Sequence, residues 1–187
     1  HSKIVLSYTN GNLILACRMF LIFDYLGLGN QTCILNGGID AWKNAGNRLT
    51  SEEPSYKKTK LIPNVKNEVF VDTSWILKNL TNKDIVLIDA RPVSYYEGKT
   101  GIPRAGHIPG AINIPNTKLF DESTYQFVPD AKLIELFNVP EISKNKEIVC
   151  YCFVGNAASS VYFIVRYLGY KVHLYDGSME EWSNRFD

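Results

Sequence analysis

One run of elements occurs twice in this chain, and that repetition constrains the fold more than any other feature. Near the start, Ile4-Val5-Leu6-Ser7-Tyr8 reads as a strand and Thr9 to Asn12 as a turn. An apolar helix follows from Leu13 to Leu26, with Gly27 as its stop. Cys33-Ile34-Leu35, a short strand, leads to Gly37-Gly38-Ile39-Asp40-Ala41-Trp42 and a brief helix. Near the end the same order returns. Ile148 to Cys152 is a strand, Gly155 centres a turn, Ala158 to Leu168 is a helix and Gly169 its stop. Val172 to Tyr175 and Asp176-Gly177-Ser178-Met179-Glu180-Glu181-Trp182 complete the second copy. Gly155 answers Gly11 at an offset of 144, Gly169 answers Gly27 at 142, and Trp182 answers Trp42 at 140. Such self-similarity marks a duplicated unit. Short strands alternating with helices predict an α/β fold with a mainly parallel sheet.

The second copy is preceded by a long segment, 69 to 146, with no counterpart ahead of the first. The chain therefore divides into the second half of one unit (1–56), a linker (57–68) and one complete unit (69–187). The linker side is marked by the polar, proline-containing run Thr50 to Lys60. Within the complete unit, Asp72 or Thr73 caps a short helix through Leu80. Asp84 to Asp89 is a strand, and a helical turn runs through Tyr96-Glu97-Gly98. Residues 105–115 form a loop bracketing one short strand, and Asp130 caps a helix with the stripe Leu133, Leu136, Phe137. The apolar helix 13–26, broken only by Arg18 and Asp24, needs cover on several sides. We expect residues supplied upstream in a longer protein, or another copy, to cover residues 1–50.

Cys152 stands where the second strand ends and a helix is about to begin. A strand-loop-helix junction turns backbone N–H groups and the positive end of the helix dipole toward one place. A thiol there ionises more readily, and the thiolate is the nucleophile. Most cysteines are small core hydrophobes, and Cys150, two residues earlier within the strand, is read that way. The corresponding place in the first copy holds Tyr8, so only the second copy can do cysteine chemistry.

Composition excludes more than it selects. A chain of 187 residues with 45% hydrophobic and 21% charged residues buries an ordinary core. A net charge of +1 gives no electrostatic case for nucleic acid or an anionic membrane. No apolar run reaches the ~20 residues of a membrane span. The four cysteines, 17, 33, 150 and 152, have no disulfide-like spacing, which suits a reducing, cytoplasmic setting.

Taken together, Asp89-Ala90-Arg91, Gly106-His107-Ile108-Pro109-Gly110-Ala111, Cys152 on its six-residue loop, Tyr167-Leu168-Gly169 and Asp176-Gly177-Ser178 resemble the rhodanese (sulfurtransferase) family. The resemblance covers residues 69–187, and the first segment is similar to the second half of another such unit. It implies a tandem arrangement with an inactive first unit and an active second one. It implies a Cys152 persulfide, formed from a sulfur donor and discharged to a nucleophilic acceptor, with no metal or organic cofactor. Donor contacts fall to the loop residues Phe153, Val154, Gly155, Asn156 and Ala157, with Asp89 orienting the site and Arg91 lending positive potential. An ion pair that merely pins loops is the other reading of Asp89 and Arg91. This loop carries no basic residue, and the turn after Arg91 carries Tyr95 and Tyr96, which argues for an organic donor over thiosulfate.

Other residues take plainer roles. His107 is read as a loop histidine bonded to backbone, His173 as a strand residue, and His1 as a terminus. Trp42 and Trp182 are read as core or interface aromatics. A cysteine phosphatase would need an arginine six residues after its nucleophile to clamp a dianion. Ala158 stands at that place after Cys152 and Asn156 after Cys150, which leaves that alternative weak. A non-catalytic binding module is the alternative from a different class.

Overall fold

A computed structural model describes residues 3–9, 11–58, 60–101 and 105–185. His1 and the predicted turn residue Asn10 lie outside them. The larger sheet has five strands: β3 (Phe70–Val71), β4 (Ile85–Asp89), β5 (Ile112–Asn113), β6 (Glu147–Tyr151) and β7 (Lys171–Tyr175). They run in the order β3-β7-β6-β4-β5, and every pairing is parallel. Strands buried on both faces read as continuous apolar runs, and Ile148-Val149-Cys150-Tyr151 of β6 is such a run, fully buried.

Alternation along these strands divides the core. Ile148, Cys150, Ile88 and Leu174 face one way, packing on α6 (Asn156–Tyr167), α5 (Asp130–Phe137) and α1 (Leu13–Tyr25). Val149, Tyr151, Leu87 and Tyr175 face the other, against α3 (Thr73–Asn79), α7 (Ser178–Ser183) and the loop at 108–111. Asp72 caps α3 as expected, accepting from Trp75 N–H at 2.7 Å. Asp130 does not cap α5. Pro129 holds that place, and Asp130 is the first helical residue, accepting from the Tyr167 hydroxyl at 3.1 Å. A one-turn helix, α4 (Val93–Tyr96), follows β4.

The first segment makes a separate two-stranded parallel sheet from β1 (Ile4–Leu6) and β2 (Thr32–Ile34), followed by α2 (Gly38–Asn44). Helix α1 lays Leu13, Cys17, Phe20 and Leu21 inward. Phe20 meets Phe163 of α6 edge to face at 4.8 Å. On its outer side Leu15 and Met19 are exposed, as is Val5 of β1. The described residues from 47 to 66 contain neither helix nor strand. Their far end is tied down where Asn64 and Lys66 N–H donate to Leu26 and Tyr25 C=O. Trp42 is not in the core: it is 40% exposed, with its indole N–H on Arg48 C=O at 3.1 Å. Trp182 packs at the edge of the second core.

Candidate active site

Strand β6 lies between β4 and β7, so the Cys152 loop emerges at the centre of the sheet's C-terminal edge. Ligands of open parallel sheets collect at that edge. The register places Asp89 opposite Tyr151, one residue before the cysteine. Cys152 itself is 1% exposed. Its N–H donates to Ser178 Oγ at 3.1 Å, and its C=O accepts from Met179 N–H at 3.0 Å. Phe153 C=O accepts from Glu180 N–H at 3.0 Å. The start of α7 therefore pins the entry of the loop. Ser178 adopts a left-handed φ of 51° and donates to Tyr175 C=O at 2.8 Å, bonds that offset a conformation costly for a side chain.

The exit is set by Gly155. Its φ is +80°, and a Cβ there would stand 2.3 Å from Asp176 Oδ1, so only glycine fits. Helix α6 starts at Asn156, two residues earlier than expected, because this left-handed glycine lets the chain turn directly into the helix. Asn156 and Ala157 thus belong to its first turn. Among the described residues, the N–H groups of Phe153 to Ala157 donate no hydrogen bond within the chain. Five donors stand open at the positive end of a 12-residue helix. Cys150 lies one pleat below on the same face, wholly buried, and burial pushes its thiol far above the ordinary range. It is a core residue, as its place in the strand suggested.

Asp89 and Arg91 form a buried pair, 0% and 2% exposed. Arg91 Nη2 donates to Asp89 Oδ2 and to Gly106 C=O, both at 2.6 Å, while Arg91 Nε and N–H also reach the carboxylate. Asn113 Nδ2 donates to Asp89 and Arg91 C=O, each at 2.9 Å, fixing the backbone on either side. The guanidinium carbon lies 5.3 Å from the centre of the Phe153 ring, and Tyr95 meets that ring edge-on at 4.7 Å. Arg91 thus lies next to the loop with much of its hydrogen-bonding capacity already engaged. Val154 is largely exposed. Burial, with the Asp89 carboxylate second, raises the Tyr151 phenol, which accepts from Ile108 N–H at 3.2 Å.

His107 and His173 behave as read. His107 stacks on Tyr96 at 3.8 Å and bonds its Nδ1 to Tyr96 C=O at 2.8 Å. His173 bonds to Glu68 C=O and to Glu147 at 2.9 Å. Sequence reasoning gave no role to Ser178, Asn113 or Arg18, which reaches Asp176 beside Gly155. Two signals were available: Ser178 belongs to the Asp176-Gly177-Ser178 motif, and Arg18 interrupts an apolar helix.

Residues 72–185 match the rhodanese-like domain family, and the chain belongs to it. Its relatives place that membership among sulfur-handling proteins. The sulfur carrier protein TtuD of Thermus thermophilus is 32% identical over 196 residues, covering 96% of this chain and 68% of that protein. The thiosulfate sulfurtransferase of Pseudomonas aeruginosa is 31% identical over 174 residues, covering 92% and 64%. Among solved structures, SseA of Escherichia coli, described for the rhodanese fold and mechanism of 3-mercaptopyruvate sulfotransferases, superposes with a TM-score of 0.76 at 26% identity, over 94% of this chain and 66% of that one. The chain spans about two thirds of the length of these proteins. Family membership and these relatives support sulfur transfer by a rhodanese domain as its class of activity.

Proposed function

We propose that Cys152 carries the transferred sulfur as a persulfide. Its thiolate attacks the sulfane sulfur of a donor and a new S–S bond forms. The donor's bond to that sulfur breaks, and the electron pair leaves with the remainder. An acceptor nucleophile then takes the outer sulfur and returns the cysteine thiolate, a two-step covalent route with ping-pong kinetics. The observation that carries this reading is the run of five N–H groups, Phe153 to Ala157, that donate no hydrogen bond within the chain and follow one cysteine directly into a helix N-terminus. Such a nest suits an anionic sulfur. In this reading Asp89 orients Arg91, which supplies positive potential behind Phe153. Phe153 and Val154 favour a donor with an apolar body, such as an organic persulfide, or a mercapto-acid whose carbonyl beside the C–S carbon takes the released electron pair as an enolate.

The active domain is 69–187, with 57–68 as linker and 1–56 as the second half of an inactive rhodanese unit in a tandem pair. Tyr8 at the cysteine position supports that division. The exposed Val5, Leu15 and Met19 call for cover by further chain of the first unit or a second copy. A 21 kDa monomer of native material in sedimentation would count against that cover.

Mass spectrometry after incubation with a sulfane donor tests the chemistry. One added sulfur is expected on wild type and on Cys150→Ala, and none on Cys152→Ala. Sulfur retained by Cys152→Ala, or lost by Cys150→Ala with Cys152 intact, overturns the assignment.

A further inference from the structure

Both polar residues of helix α1 reach across to the other unit. Asp24, buried, accepts from the Tyr162 hydroxyl at 2.8 Å and from Arg166 Nε at 3.1 Å, which fastens α1 to α6. Arg18 reaches the active loop instead. Its two terminal nitrogens donate to the two carboxylate oxygens of Asp176, at 2.6 and 3.0 Å, and its guanidinium lies 5.9 Å from the Phe70 ring centre. Asp176 directly follows β7, two residues before the Ser178 whose hydroxyl holds the Cys152 N–H. A Cβ placed on Gly155 would stand 2.3 Å from Asp176 Oδ1 and 3.2 Å from Arg18 Nη1. The ion pair is thus the wall against which the glycine of the cysteine loop is packed.

We infer that Arg18 and Asp176 are a positioning pair, through which the first unit sets the geometry of the Cys152 loop for sulfur transfer. The inference rests on the reading of Cys152 as the sulfur carrier. A bidentate guanidinium–carboxylate contact has a defined plane and spacing, which a single lysine contact lacks. Both side chains are partly exposed, and such pairs contribute little to global stability. The loop is different: displacing a reacting group by about 1 Å costs up to ~100-fold in rate. A pair of this kind therefore weighs more on rate than on stability, and the two can be measured apart.

The test uses the full chain with Arg18→Met, Asp176→Asn and the double variant. Single-turnover loading of sulfur on Cys152 is followed by intact mass across a donor titration, and urea unfolding is recorded alongside. We expect each single variant to lower the saturating loading rate about tenfold or more, with the half-saturating donor concentration little changed. The double variant should be no slower than the slower single, because the pair acts as one unit. Arg18→Lys, which keeps charge but not the bidentate fork, should fall between wild type and Arg18→Met. Should Arg18→Met fail to fold, Asp176→Asn, matched in size, and Arg18→Lys carry the test. Wild-type loading rates in the folded single variants, or strictly additive losses in the double, overturn the inference. A wild-type protein that takes up no sulfur overturns the Cys152 reading instead, so the two failures are distinct.

Discussion

After β6 the chain presents Cys152; at the matching place after β1 it presents Tyr8. Each is followed by a left-handed glycine, Gly155 at φ +80° and Gly11 at φ +76°, and then by α6 or α1. Each offers its C=O to the helix after the next strand, Cys152 to Met179 N–H at 3.0 Å and Tyr8 to Ile39 N–H at 2.9 Å. The backbones agree, and the side chains part them. The Tyr8 hydroxyl donates to Tyr125 C=O at 2.5 Å and accepts from Gly37 N–H at 2.8 Å. A Cβ on Gly11 would stand 2.6 Å from the Tyr125 ring, so a tyrosine more than a hundred residues away covers this glycine. At Gly155 the same role falls to Arg18 of α1 together with Asp176. One corner is filled by aromatic rings, and the other keeps a thiol beside open N–H donors. The frame alone therefore does not make a site; the residue at the strand end and the cover over the glycine decide it.

Exchanging the two residues is the most severe test of that comparison. Cys152→Ala should abolish sulfur loading, and adding Tyr8→Cys to it should restore none, because Tyr125 covers the loop that would serve the new thiol. Losing the buried ring of Tyr8 should also destabilise the protein by about 3–5 kcal/mol, the range for large-to-small aromatic changes. Loading regained by the double variant, read by intact mass, would break the comparison.

Alanine at the two glycines sharpens it. Both backbones are left-handed and both sites are crowded, so each substitution should cost stability on the order of 1–3 kcal/mol in urea unfolding. Only Gly155→Ala should also slow loading, by as much as ~100-fold, since it alone moves the donors around Cys152. A comparable loss of rate in folded Gly11→Ala would mean that the first loop matters to the chemistry.

What could be read from the residues follows from range. The strands, α1, α6 and the place of Cys152 are set by local patterns: apolar runs, helical spacing, glycine stops. Cys150 was separable from Cys152 because pleat and strand end are likewise local. Apolar spacing marks α6 only from Ala158, whereas the helix starts at Asn156 because the left-handed Gly155 lets the turn run straight into it. Residue type makes Asp130 a cap candidate, but Pro129 holds that place. Arg18 and Asp176 lie 158 residues apart, and Tyr8 and Tyr125 lie 117 apart. No local pattern carries such contacts; only tertiary packing brings them together.

Donor choice tests the electrostatic side of the comparison. The Cys152 loop has no cation of its own, Arg91 is paired with buried Asp89, and Arg18 is balanced by Asp176. Thiosulfate should therefore show a high apparent KM, and an organic donor a better kcat/KM. Val154 is exposed, so Val154→Arg can hold its guanidinium at the loop mouth. A hydrogen bond to a charged group contributes about 1.5–3 kcal/mol, so thiosulfate use should rise by about one to two decades. A wild-type preference for thiosulfate with a low KM would sink this reading.

The smallest change is Tyr8→Phe. It keeps the ring that fills the first corner and removes only the hydroxyl. Burial raises the Tyr8 phenol, so it stays a neutral donor and acceptor throughout the working pH range. Its loss leaves Gly37 N–H and Tyr125 C=O without that partner, and an unsatisfied buried group costs about 1–3 kcal/mol. The urea midpoint should fall accordingly at unchanged m-value. Sulfur loading on Cys152 should stay at the wild-type rate, because no bond of Tyr8 touches the loop from Phe153 to Ala157. If loading slows while the fold holds, the first corner is coupled to the second through the 120–127 loop, and the contrast between a filled corner and a working one no longer stands.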